Sequence, residues 1–172
     1  MIVHRPNPDD GGISPSAITA FSPEQAVANL GIVLPQAPKP VAAYVPARRV
    51  GNLLYVSGQL PFVHGKLTTE GPVPSKVSPE RAHEAARQCA INALAAARDA
   101  MGSLDRIKGV VRVGAWVASD DGFTAIPQVA NGASELLVQV FGEAGRHARA
   151  TVGTNVLPLG ASVEVEVLFE VQ

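Results

Sequence analysis

The sequence predicts an α+β fold, a β-sheet with two long helices packed on one face, and three stretches carry that prediction. In Ser162–Val171, Val163, Val165, Val167, Phe169 and Val171 fall on one side of an extended chain, and Glu164, Glu166, Leu168 and Glu170 on the other. That period-2 alternation marks a strand with one buried face. After the helix start Ser78-Pro79 the chain to Met101 is alanine-rich and free of further breakers until Gly102, which reads as a long helix with side chains small enough for close packing on a sheet. Val110–Ala118 is a β-prone run containing Trp116, expected as a central strand.

The remaining elements follow in order. Residues 1–21 read as a flexible N-terminal extension, and 22–172 as a single domain. Ser22-Pro23-Glu24-Gln25 supplies a hydroxyl N-cap, a proline at the first helical position and a glutamine three residues after the serine, so a leading helix is expected over 22–31, closed by Gly31. Pro35, Pro38 and Pro40 make 34–40 an extended connector. Ala47–Val50 and Leu53–Ser57 flank Gly51-Asn52, a dipeptide suited to a tight hairpin. Leu60–Ser75 is broken by Pro61, Gly65, Gly71, Pro72 and Pro74 and reads as mostly loop. Asp120-Asp121-Gly122 is a turn, and a second main helix is expected from about Pro127 to Phe141, ended by Gly142 and Gly145. The predicted order is strand-strand-helix-strand-helix-strand behind a short leading helix.

Composition narrows the function classes. A chain of 172 residues with 47% hydrophobic side chains holds one domain with a substantial core. Charged residues are only 17%, below the usual proportion of about a quarter. So lightly charged a surface suggests burial against a partner, most simply another copy. A net charge of −1 and a pI near 6.4 provide no positive field for nucleic acid or an anionic membrane. Cys89 is the only cysteine, which excludes an intrachain disulfide and fits a reducing compartment. Met1 to Ser16 lacks the basic region and apolar stretch of a secretory signal. No apolar run approaches the ~20 residues that cross a bilayer. A soluble, cytoplasmic protein is expected.

The chemistry concentrates near the C-terminus, in Gly145-Arg146-His147-Ala148-Arg149, then Leu157-Pro158, then Glu164-Val165-Glu166. An arginine fork matches a carboxylate in two parallel hydrogen bonds, and a nearby glutamate can orient water or carry a proton. A surface arginine ahead of a strand with a solvated acidic face fits the same residues. The spacing alone leaves both readings standing.

The segment resembles the RidA (YjgF, L-PSP endoribonuclease-like) family. There an Ala-Arg is followed nine positions after the arginine by the proline of a Leu-Pro pair, and six further on by the first glutamate of a Glu-x-Glu strand. Ala148-Arg149, Leu157-Pro158 and Glu164-Val165-Glu166 keep both intervals. Upstream, Tyr44, Gly51-Asn52 and Val56-Ser57-Gly58-Gln59-Leu60-Pro61 are similar to the family's first hairpin, and Asn131 falls, with a one-residue slip, where the family has an asparagine. The likeness covers about Ala42 to Val171.

The resemblance implies a chorismate-mutase-like mixed sheet with two long helices on one face, assembled as a homotrimer with sites in clefts between subunits. It implies hydrolysis of small reactive imino acids of the 2-aminoacrylate and 2-iminobutanoate type to 2-keto acids and ammonia, with no metal or organic cofactor. Arg149 would clamp the substrate carboxylate and Glu164 would position or activate water. Tyr44 and Asn131 would line the pocket, Ser57 and Gly58 would form its floor, and the Thr151 carbonyl would help hold ligand or water. Glu166 is expected to be structural. The longer chain resembles a RidA-like subgroup, for which a non-catalytic carboxylate-binding or metabolic-sensor trimer is the alternative and an endoribonuclease a weaker one.

His147 lies two residues before Arg149, so in extended chain both can point the same way; a surface or interface histidine and a site role are both open, and Arg146 reads as solvated. His4, His64 and His83 have no ligand-like spacing to one another or to Cys89, so no metal site is expected. Cys89 reads as a small buried apolar residue, and no glycine-rich stretch forms a phosphate loop.

Overall fold

A computed structural model describes residues 21–36 and 43–172. The expected extension at 1–21 lies outside these residues apart from Phe21, as does the connector from residue 37 onward. Ser22 caps α1 (Pro23–Asn29) with a reciprocal capping box: its hydroxyl accepts from Gln25 N and its own N–H donates to the Gln25 carboxamide. Glu24 fastens α1 to the body by accepting from Leu104 N at 2.9 Å, while its own N–H donates to Asp105 Oδ1 at 3.0 Å.

The strand pair forms as predicted. β1 (Ala47–Val50) and β2 (Leu53–Gln59) pair antiparallel through Gly51-Asn52, with Gly51 at φ +60°. Within the stretch expected as mostly loop, β3 (Phe62–Val63) and β4 (Lys66–Leu67) make a minimal hairpin through His64 and Gly65, both at positive φ. Two-residue strands are too short to leave an alternating pattern among so many breakers.

α2 (Pro79–Met101) begins at Ser78, whose hydroxyl caps Arg81 N, and ends at left-handed Gly102. Its buried side is mostly alanine and carries Cys89, whose thiol donates to Val163 O at 3.7 Å. α3 (Ile126–Phe141) packs against it so closely that a Cβ on Gly132 would strike the His83 carbonyl oxygen. That contact explains a glycine in mid-helix.

β5 (Ile107–Ala118), β6 (Ala148–Thr154) and β7 (Val163–Val171) complete a five-stranded mixed sheet in the order β1-β2-β7-β5-β6. β6 corrects the predicted element order, which had no strand there. It is an edge strand parallel to β5, reached by the α3 crossover. Its sequence, Ala-Arg-Ala-Thr-Val-Gly-Thr, lacks alternation because most of it stays exposed.

Register decides which residues share a face. Val113 pairs with Arg149 on one side and Val167 on the other, and Ala115 likewise joins Thr151 to Val165. Val113, Ala115, Val165 and Val167 are all buried in the core under the helices. The alternate rows, Val152-Trp116-Glu164 and Ala150-Gly114-Glu166, lie on the face the helices leave open. The last strand buries Val163 through Val171 at every second position, as its alternation predicts.

Candidate active site

Two polar clusters form, one on each face of the sheet. The first is built around Arg149 on β6. Being on the edge strand, its side chain reaches past the core and lies along α3. Nη1 donates to Asn131 Oδ1 at 2.9 Å and Ser134 Oγ at 3.1 Å, and Nη2 to Pro127 O at 3.4 Å. Pro127, Asn131 and Ser134 repeat at helical spacing, so one face of α3 presents all three acceptors. Every one is neutral, and no carboxylate pairs with Arg149 among the described residues. The guanidinium is therefore oriented but not neutralised, which suits it to an external anion.

His147 joins this cluster, half-buried, with Nδ1 2.6 Å from Gly145 O and Nε2 3.0 Å from Ser134 Oγ. Burial pushes its pKa below the ordinary histidine value; the bond to Gly145 opposes this and the Arg149 charge adds to it. Thr151 lies two residues beyond Arg149 on β6, in the next row of the helix-covered face. Arg146 pairs with Glu143 in solvent.

The second cluster occupies the open face. Between Val56 and Gln59, β2 bulges against β7, so that Ser57-Gly58 stand out of register. The Glu164 side chain lies over the bulge, and a Cβ on Gly58 would collide with its carboxylate. Burial raises the Glu164 pKa above the ordinary carboxylate value, and the charge of Glu166 raises it further. Glu166 accepts from Arg112 Nη1 at 2.9 Å. Beside this pair a cleft of about 660 Å³ is lined by Tyr44, Tyr55, Ser57, Arg48, Arg112 and Glu166. The Ser57 hydroxyl donates to Val45 O at 2.8 Å.

The structure thus brings Arg149 together with Asn131, and Glu164 together with Gly58, while Tyr44 and Ser57 line the cleft that also takes in Glu166. It does not bring Arg149 and Glu164 together within one chain, because strand parity sends them to opposite faces. Ser134, Arg48 and Arg112 were missed by sequence reasoning. The i, i+3 spacing of Ser134 from Asn131 was the available signal for the first. For Arg112 it was the period-2 series Arg112, Gly114, Trp116, which marks the outward face of β5.

Elsewhere, side chains serve the fold. Burial drives the Cys89 thiol pKa well up, as for an inert core cysteine. Asp120 accepts from the backbone and hydroxyl of Ser75. His83 sits 3.4 Å from Glu135. Among the described residues, no group of three or more His, Cys, Asp or Glu side chains is placed to hold a metal, and no helix is long and apolar enough to cross a membrane.

Comparison with known proteins matches residues 24–171 to a family described as "YjgF/chorismate mutase-like, putative endoribonuclease". Protein TCP17 of Trypanosoma cruzi is 45% identical over 144 residues, covering 82% of this chain and 89% of its own. A Dermatophagoides farinae protein named 2-iminobutanoate/2-iminopropanoate deaminase is 30% identical over 142 residues, covering 82% and 95%. The crystal structure of Atu1372 from Agrobacterium tumefaciens, a protein of unknown function, superposes with a TM-score of 0.82 at 44% identity, covering 88% of this chain and 93% of that one.

Proposed function

The chain belongs to the YjgF/chorismate mutase-like (RidA) family, and from that premise we propose that it is a cofactor-independent deaminase. It hydrolyses small reactive 2-imino acids to 2-keto acids and ammonia, in the cytoplasm and as a homotrimer. The observation that carries the reading is the Arg149 guanidinium, held by three neutral acceptors with its charge unmatched. The name of the 30% identical mite relative supports the substrate class.

Arg149 binds the substrate carboxylate, which fixes the imine carbon. Glu164, desolvated and raised in pKa, takes a proton from water as its oxygen bonds to that carbon, giving a carbinolamine. Glu164 returns that proton to nitrogen and then carries the carbinolamine hydroxyl proton to nitrogen as well, so the C=O bond forms as the C–N bond breaks, releasing ammonia and the 2-keto acid. An imine carbon is already electrophilic, so positioning and one proton shuttle supply the rate. Asn131 holds Arg149, Tyr44 lines the pocket with Ser57 and Gly58 at its floor, and the Thr151 carbonyl contacts ligand or water.

Assembly supplies what one chain lacks. The Arg149 cluster of one copy meets the Glu164 face of the next, and the exposed Tyr55, Val152, Val156 and Leu159 provide apolar surface for such contact. Purified protein is expected to accelerate keto-acid release from freshly generated 2-iminobutanoate, and Arg149→Ala to lose it, since a charge-assisted bidentate contact contributes about 2–4 kcal/mol. No acceleration over buffer overturns the reading.

A carboxylate-binding trimer without catalysis is the second reading, favoured by one observation: the Arg149 cluster is complete without Glu164. Glu164→Gln separates them, because both readings retain keto-acid binding and only the catalytic one loses turnover. Ribonuclease activity fits poorly with a pI near 6.4 and glutamates on the open face; RNA cleavage abolished by Arg149→Ala would restore it.

A further inference from the structure

Beside Arg149 the chain carries a hydrogen-bonded relay that a simple guanidinium clamp does not require. Gly145 O can only accept, so the ring proton of neutral His147 sits on Nδ1, 2.6 Å away, and Nε2 offers a lone pair. Ser134 Oγ, 3.0 Å from Nε2, spends its single proton there. One Ser134 lone pair then accepts from Arg149 Nη1 at 3.1 Å. The direction of the Ser134 hydroxyl is thereby set by the protonation state of His147.

We propose that Ser134 and His147 are positioning residues for the anion held by Arg149. Protonation of His147 reverses the Ser134–His147 bond, frees the Ser134 hydroxyl to donate to the bound carboxylate, and sets a second positive charge behind the guanidinium. In the reversed state Nε2–H donates to Ser134 Oγ, whose other lone pair still serves Arg149. The inference rests on the reading of Arg149 as a carboxylate site.

The neighbouring charges leave the relay to Arg149. Glu135 on α3 lies against His83 of α2, and Glu143 pairs with Arg146 in solvent. Burial and the Arg149 charge keep the ring neutral at neutral pH while the site is empty. A carboxylate that cancels the Arg149 field raises the ring's proton affinity, so by linkage anion affinity rises as pH falls through the His147 pKa.

Calorimetric titration of the full-length protein with 2-oxobutanoate, which stays ionised throughout, tests this between pH 8 and pH 5.5. Wild-type Kd is expected to tighten about threefold to tenfold over that range, the effect of one partly screened charge nearby. In a Glu164→Gln background, which removes the other titratable group of the assembled site, His147→Gln keeps a polar side chain that does not titrate and should give a flat profile. Ser134→Ala should weaken the slope, and Ser134→Thr, which retains the hydroxyl, should restore it. A pH-independent wild-type Kd, or a slope in Glu164→Gln that adding His147→Gln leaves unchanged, overturns the proposal. Should His147→Gln not fold, an NMR titration of His147 in the wild type reads the same coupling: ligand must move its pKa upward, and no movement overturns the proposal. Arg149→Ala separates the two levels of inference, since undiminished binding there defeats the carboxylate-site reading itself.

Discussion

At the residue scale, Gly58 and Glu164 form one unit. A Cβ on Gly58 would meet the Glu164 carboxylate, the movable end of its side chain, so Gly58→Ala displaces the proposed base and leaves the backbone in place. Turnover is expected to fall about 10²-fold, as small displacements of a reacting group do, while the melting temperature changes little; steady-state kinetics and a thermal melt check both. Glu164 also sets a pH dependence. Its raised pKa puts the acid limb of the kcat/KM profile above the ordinary carboxylate range, because the base must be ionised to act. Removing the neighbouring negative charge in Glu166→Gln stabilises ionised Glu164, so the limb should move to lower pH. A limb that stays put assigns it to another group. Arg149, Glu164 and Gly58 were named from motif intervals, and Asn131 from an alignment that needed a one-residue slip. What spacing along the chain did not contain was the face each occupies: Arg149 and Glu164 look like neighbours on a line, and only the β6-β5-β7 register shows that the sheet separates them.

At the scale of elements, legibility follows burial. β7, α2 and β5 bury one face or stripe and write that burial into their sequences as alternation or as an alanine-rich run. β6 buries almost nothing, so hydrophobic pattern gave no sign of it, although it carries the arginine on which the proposed function depends. Gly132 shows the converse, a residue that lowers helix propensity yet is required by packing. Alanine in a helix interior normally stabilises by about 0.5–1 kcal/mol over glycine. Here the added methyl would meet the His83 carbonyl across the α2–α3 contact. Gly132→Ala is therefore expected to destabilise by about 1–3 kcal/mol, the cost of overpacking, and chemical denaturation reads the sign directly. A stabilised variant would mean that the two helices sit farther apart than described.

At the scale of the whole molecule, the proposed site depends on assembly. If the Arg149 half and the Glu164 half of each site come from different copies, a trimer of chains carrying only Arg149→Ala has no intact site, and neither does one carrying only Glu164→Gln. Mixed trimers behave differently. A site that draws its arginine from a Glu164→Gln chain and its glutamate from an Arg149→Ala chain is wholly native. With random mixing of equal amounts, about a quarter of the sites meet both conditions, so refolding the two inactive variants together should recover about a quarter of wild-type turnover. Sites contained within one chain recover nothing on mixing, whatever the oligomeric state. Light scattering of the wild type must show three 17.8 kDa chains per particle for the experiment to apply. Val152→Lys, placed on the open face in the row of Trp116 and Glu164, supplies the complementary measurement. An added charge there should favour the monomer and abolish turnover, with the circular dichroism of the folded chain retained. Recovery on mixing together with loss on dissociation is the pair of outcomes that only a shared site produces.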